Sequence, residues 1–290
     1  MSEFRIDQIK SQDATGGPNV AGITTFTGTS GIVMPSGDTA YRGGRGRGVF
    51  FSGNNPTYFN EIQYITIATT GDATDFGDLT RTENNVNGAG STTRLVLAGG
   101  YNNTSHTNTM DYITISALGN AFDFGDLSKQ GRSHIIPGSN GTRGIFAGGV
   151  TGTNPSTSVT NVIEYVTISA KGNSTNFGEL TGTWRSGTGG CNTTRALFMA
   201  GFKITYTNSI DYITMATTGN SLDFGDATTA ETNANGITSN SVRAVRFAAD
   251  YPPSTANTID YVTIASLGNA IDFAESNVSS FNGGASCASP

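Results

Sequence analysis

NTMDYITISALGNAFDFGDLS, residues 108–128, is written five times in this chain with small changes. The other copies are NEIQYITIATTGDATDFGDLT from Asn60, NVIEYVTISAKGNSTNFGELT from Asn161, NSIDYITMATTGNSLDFGDAT from Asn208 and NTIDYVTIASLGNAIDFAESN from Asn257. Their central tyrosines, Tyr64, Tyr112, Tyr165, Tyr212 and Tyr261, are separated by 48, 53, 47 and 49 residues. A period of that length marks a repeat architecture. Within a copy, Tyr-Ile-Thr-Ile carries apolar side chains on both parities, which suits a strand buried on both faces. Leu118-Gly119-Asn120 then supplies the residues of a tight turn. A second short strand follows from Ala121 to Leu127, with its Phe inward.

Two further pieces accompany each copy. Upstream of the tyrosines lie strands headed by arginine: Arg47 GVFFSG, Arg94 LVLAGG, Arg143 GIFAGG, Arg195 ALFMAG and Arg243 AVRFAA. Before these comes a weaker piece, NGAGSTT after Val86, NGTRG after Ser139, GTGGCNTT at Gly187 and NGITSNS after Ala234. Four short strands in about 50 residues is the pattern of a propeller blade of the kelch kind. The first unit lacks the fourth piece, and FNGGASCA from Phe281 resembles it with no unit following. The expected fold is therefore all-β: a five-bladed β-propeller of four-stranded blades over residues 44–290, closed by the C-terminal strand, which leaves no free edge. An open β-solenoid is the alternative.

Composition narrows the partners. Of 290 residues only 13% are charged, the net charge is −6 and the pI is near 4.8. A basic face for nucleic acid or anionic lipid is not expected, and no stretch is long and apolar enough to insert in a membrane as a helix. MSEFRIDQIKSQ has no apolar h-region, so no secretory leader is expected. Cys191 and Cys287 fall in non-adjacent units and read as small buried residues rather than a disulfide. The two histidines, His106 and His134, lie in no Cys/His cluster, so no metal or other cofactor is expected.

Several motifs dissolve on inspection. DFG at Asp75, Asp123 and Asp223 follows the repeat and has no accompanying kinase loops. Thirteen of the 22 acids fall in repeated columns, which reads as structural ion pairs and turn caps with the head arginines as partners, ahead of calcium. The acids outside the columns, Asp38, Glu83, Glu231 and Asp250, carry no glycosidase signature, and no catalytic residue is assigned. Tyr41 RGGRGRG reads as a hinge into the first blade rather than an RNA-binding tract. Glycan recognition by loop aromatics is the functional alternative, with Tyr58, Tyr101, Tyr206 and Tyr251 in corresponding loops as the candidates.

Residues 1–43 lie outside the repeat. Phe4, Ile6 and Ile9 suit a short strand, and an arm of this kind orders by docking on another protein. The opening FRIDQIKSQDATGG with ITTFTGTSGIVMPSGD resembles the N-terminal attachment segments of structural proteins of tailed bacteriophages, particularly those of cyanobacteria and other marine hosts. The unit IDYITIATTGN…DFGDLT is similar to kelch-like propeller repeats in such proteins. The resemblance implies a virion component, a fibre, spike or decoration subunit held by its arm to capsid or tail proteins. It implies no catalytic residues and leaves homo-oligomerisation and host glycan binding open.

Overall fold

The computed structural model describes residues 46–54, 57–202, 206–231, 236–247, 250–251, 254–255 and 257–276. Phe4, Ile6 and Ile9, expected to anchor the arm, and the segment from Phe281 to Ala288, expected to close the ring, lie outside them. Among the described residues there is no helix, and strands account for each repeated piece. The first unit is a three-stranded sheet of β1 (Arg47–Asn54), β2 (Tyr58–Thr66) and β3 (Thr74–Asp78). The second runs β4 (Asn87–Gly90), β5 (Arg94–Ala98), β6 (Thr109–Thr114) and β7 (Phe122–Asp126). The third joins β9 (Ile136–Ser139), β10 (Arg143–Ala147), β13 (Val162–Thr167) and β14 (Thr175–Glu179), while β8 (Arg132–Ser133), β11 (Val150–Thr153) and β12 (Ser156–Val159) form a small sheet beside it. The fourth is β15 (Thr188–Cys191), β16 (Arg195–Phe202), β17 (Tyr206–Thr214) and β18 (Leu222–Glu231). The fifth holds β19 (Gly236–Ser239), β20 (Arg243–Phe247), β23 (Thr258–Thr263) and β24 (Ile271–Glu275), with β21 (Asp250–Tyr251) and β22 (Ser254–Thr255) as a separate hairpin. All pairings are antiparallel.

The DFG string has a local cause. Asp111 pairs with Asp123 and Met110 with Gly125, so Phe124 is the extra residue of a β-bulge, and Gly125 takes φ of 141° beside it. Such a bulge re-aims the strand. It turns Phe76, Phe124, Phe177 and Phe224 inward, where each is 1–2% exposed.

The apolar core lies between successive sheets. Phe76, Ile62 and Leu79 of the first unit pack with Leu97, Ile113 and Ala121 of the second. Met110 and Phe124 then meet Phe146, Val166 and Ile168; Ile145 and Phe177 meet Phe198, Ile213 and Met215; Met199 and Phe224 meet Ala244, Val262 and Ile264. Both faces of the middle sheets are therefore covered, which is why consecutive residues of β6 and β13 are buried.

The same polar bonds recur at these four junctions. Gly119, Gly172, Gly219 and Gly268 donate backbone N–H bonds of 2.8–2.9 Å to the carbonyls of Phe76, Phe124, Phe177 and Phe224. Asn120, Asn173, Asn220 and Asn269 accept from the amides of Asp78, Asp126, Glu179 and Asp226. The head arginines stack over their own tyrosines at 4.4–4.9 Å: Arg47 on Tyr64, Arg94 on Tyr112, Arg143 on Tyr165, Arg195 on Tyr212 and Arg243 on Tyr261. Four of them also reach into the next unit, where the carbonyls of Ile115, Ile168, Met215 and Ile264 accept.

The expected pairing of head arginines with the acidic columns is not what forms. Asp111, Glu164, Asp211 and Asp260 are buried and accept hydroxyl bonds from Thr80, Ser128, Thr181 and Thr228 of the preceding unit at 2.6–2.9 Å. Three of these carboxylates have cations, and these come from elsewhere: Arg81 for Asp111, Arg132 for Glu164 and Arg246 for Asp260. The head guanidiniums are held instead by the tyrosine faces and, in the first four units, by carbonyls of the next unit.

Candidate recognition surface

Tyr58 and Tyr101 lie at the corresponding connections between β1 and β2 and between β5 and β6. Tyr58 opens β2 and Tyr101 follows β5, and their rings meet edge to face at 6.4 Å across the junction of the first two units. His106 lies 4.9 Å from Tyr101 in a tilted stack. All three rings are half-buried. Tyr206 begins β17 opposite Phe202, and Tyr251 lies in β21 opposite Ser254. The side chains of these two are outside the described structure, so only Tyr58 and Tyr101 are brought together.

The row continues through the histidines. Ser133, fully buried on β8, places Oγ 2.9 Å from His106 Nδ1 and 2.8 Å from His134 Nδ1. A hydroxyl has one proton and two lone pairs, so it donates to at most one of the two imidazoles and accepts an Nδ1–H bond from at least the other. Burial lowers the pKa of both histidines. His134 falls to about 4, with Arg185 and His106 adding to the effect of burial. The rings are neutral near pH 7 and act as hydrogen-bonding parts of the frame. Arg185 in turn stacks over Phe202 at 4.6 Å, and Ser186 donates its amide to the His134 carbonyl. Tyr58, Tyr101, His106, His134, Arg185 and Phe202 thus form a line of contacts through the first four units.

The hairpin of β11 and β12 borders this line. Its turn residues from Gly152 to Ser158 are exposed. Ser105 bridges Thr153, and the amides of His106 and Asn154 bond to Gly152 and Thr104 at 3.3 and 3.0 Å. Glu83, one of the acids outside the columns, is 2% exposed and held by Arg81 and Thr107. Cys191 is a free thiol against the core, its pKa pushed up to about 11 by burial, with the Ser139 amide opposing weakly. Among the described residues no three His, Cys, Asp or Glu side chains come together as metal ligands.

The only sequence signal for this line was Tyr58 and Tyr101. The histidine pair and Ser133 occur once each, 27 residues separating His106 from Ser133, and no repeat column marks them.

No family model and no curated protein matches the chain.

Proposed function

We propose that this chain is a non-enzymatic structural protein of a phage virion, a fibre, spike or decoration subunit. On this reading residues 1–43 attach it to capsid or tail proteins, and the five sheets are the blades of a propeller displayed outward. The observation that carries it is where the repeated chemistry goes. The buried carboxylates and the head arginines' bonds to the next unit's carbonyls join one unit to the next, as a rigid display element requires, and the non-repeating aromatic pair Tyr58 and Tyr101 sits where one strand turns into the next. A cryo-EM map of the particle that carries the chain tests this. The arm seated in a capsid or tail protein with the sheets outermost is the expected result, and absence from every particle overturns it.

The Tyr58, Tyr101 and His106 row favours a second reading, a receptor-binding lectin for host surface glycans. Aromatic faces stack on sugar rings, and the neighbouring Asn102 and Ser105 offer polar groups for hydroxyls. A glycan array separates the two: signal lost in Tyr101→Ala supports the lectin, and a silent array leaves display alone.

A further inference from the structure

Comparison of equivalent positions reveals which apolar exposures are out of place. Phe76, Phe124, Phe177 and Phe224 are buried because the next unit's turn lies over them, yet Phe273 is 53% exposed. On the opposite face, Ile168, Met215 and Ile264 are covered by the preceding unit, while Ile67 is 56% exposed. Phe50 is 46% exposed where Leu97, Phe146 and Phe198 are fully buried. Among the described residues, the fifth unit therefore has no cover on the face that the next unit would take, and the first has none on the face that a preceding unit would take.

We infer that these two faces mate with each other within one chain, Phe273 of the fifth unit packing against Phe50 and Ile67 of the first. The inference rests on the propeller reading above. The occupant is specified by the other four junctions, each of which sets the bulged Phe of one unit against the β-strands of the next. Arg243 stacks on Tyr261 as the other head arginines do on theirs, and the Ile67 carbonyl occupies the position that accepts in units two to five. A second copy could offer the same faces, but within one chain the meeting is intramolecular and does not depend on protein concentration. Head-to-tail pairing of copies would instead be open-ended.

This seam is chemically the odd junction. Gly77, Gly125, Gly178 and Gly225 have φ of 141–158°, and a Cβ on them would lie 2.2–2.6 Å from the backbone of the next unit's turn. The fifth unit has Ala274 at this position, outside the left-handed region. Its methyl group keeps the Gly71 turn from seating as the other turns do. Gln63 replaces the carboxylate of Asp111, Glu164, Asp211 and Asp260, and bonds to Glu61 instead. Among the described residues, no backbone bond like that from Gly119 to Phe76 joins the first and fifth units. The seam keeps its apolar contact, loses the turn clamp and the capped carboxylate, and is the first junction to open.

Maleimide labelling of Phe273→Cys in the full chain tests the pairing, with Phe122→Cys as the exposed control, the unsubstituted protein as background, and mass by light scattering. The expected result is a monomer in which position 273 reacts at least tenfold more slowly than 122. Equal rates in a monomer overturn the pairing, as does protection that grows with concentration and mass, which assigns the face to a second copy. Hydrogen exchange on the unsubstituted chain covers the case in which the variant is perturbed. Glu275 should exchange faster than Asp126 and Glu179, and protection of Glu275 equal to theirs overturns the missing clamp. Single-particle images showing a closed five-part ring would preserve the propeller reading even where labelling overturned the pairing, and an open array would overturn both.

Discussion

Arg246 and Asp260 face each other on neighbouring strands of the fifth sheet, Nη2 2.6 Å from Oδ2, with both side chains fully shielded from solvent. Burial raises the Asp260 pKa, but Arg246 and Thr228 together outweigh it and hold the carboxyl below its ordinary value. Removing one partner leaves a buried uncompensated charge, so Arg246→Ala should cost about 3–5 kcal/mol in denaturant unfolding. Arg246→Leu combined with Asp260→Leu should cost clearly less. Because the folded pKa is depressed, the pair's contribution is complete above the unfolded carboxylate value and is lost as pH falls through the folded one. The double variant should therefore lose this part of the acid sensitivity.

His134 gives a second pH dependence, with its own window. Its folded pKa of about 4 lies below the ordinary 6.5, so between these values the unfolded chain binds a proton that the folded chain does not. Stability should decline progressively as pH drops from 6.5 towards 4, by up to about 3 kcal/mol from this group. Melting temperatures across that range should show a flatter profile in His134→Gln than in the unsubstituted protein. An unchanged slope would mean that His134 titrates normally.

The arginine stacks should resist conservative replacement. Arg94 lies 4.5 Å over the Tyr112 ring and donates to Ile168 of the next unit at 2.9 Å. Lysine keeps the charge but lacks the planar fork that makes both contacts at once. Arg94→Lys should lose about 1–2 kcal/mol, close to the loss in Arg94→Ala, from the stack and one bond together. Thermal unfolding of the two variants side by side provides the comparison.

Gly125 and Gly119 should part company when changed to alanine. Both have φ near 140°, so both substitutions strain the backbone by about 1–3 kcal/mol. A Cβ on Gly125 would also sit 2.6 Å from the Gly172 backbone, whereas one on Gly119 would meet nothing within 4 Å. Gly125→Ala should be the more destabilising in denaturant unfolding, and should speed exchange of the Asp126 amide, which bonds to Asn173 of the next unit.

Much of the sheet pattern was legible because it is written five times. The Gly-Asn turns, the inward Phe and the strands headed by arginine form columns, and their physical causes act alike in every unit. The buried ion pairs were not legible, since Arg81, Arg132 and Arg246 reach equivalent carboxylates from different places in the chain. Composition could count these arginines but no column could pair them. The hairpin of β11 and β12 lies in an insertion without a counterpart, where Gly152, Asn154 and Pro155 weaken strand propensity, and its own pairing, together with the bridge from Thr153 to Ser105, holds its shape. The Tyr58–Tyr101 contact was half visible: equivalent loops could be matched, but their approach depends on how adjacent sheets pack.

Because the hydrophobic material is held between sheets rather than inside them, no unit owns a core of its own. Pulling one middle sheet away would uncover half of two cores at once, so a force applied at one end meets little yielding until a junction gives, and then meets a cascade. Under mechanical load the array should behave as a single brittle body, whose breaking point is set by its weakest contact between neighbours.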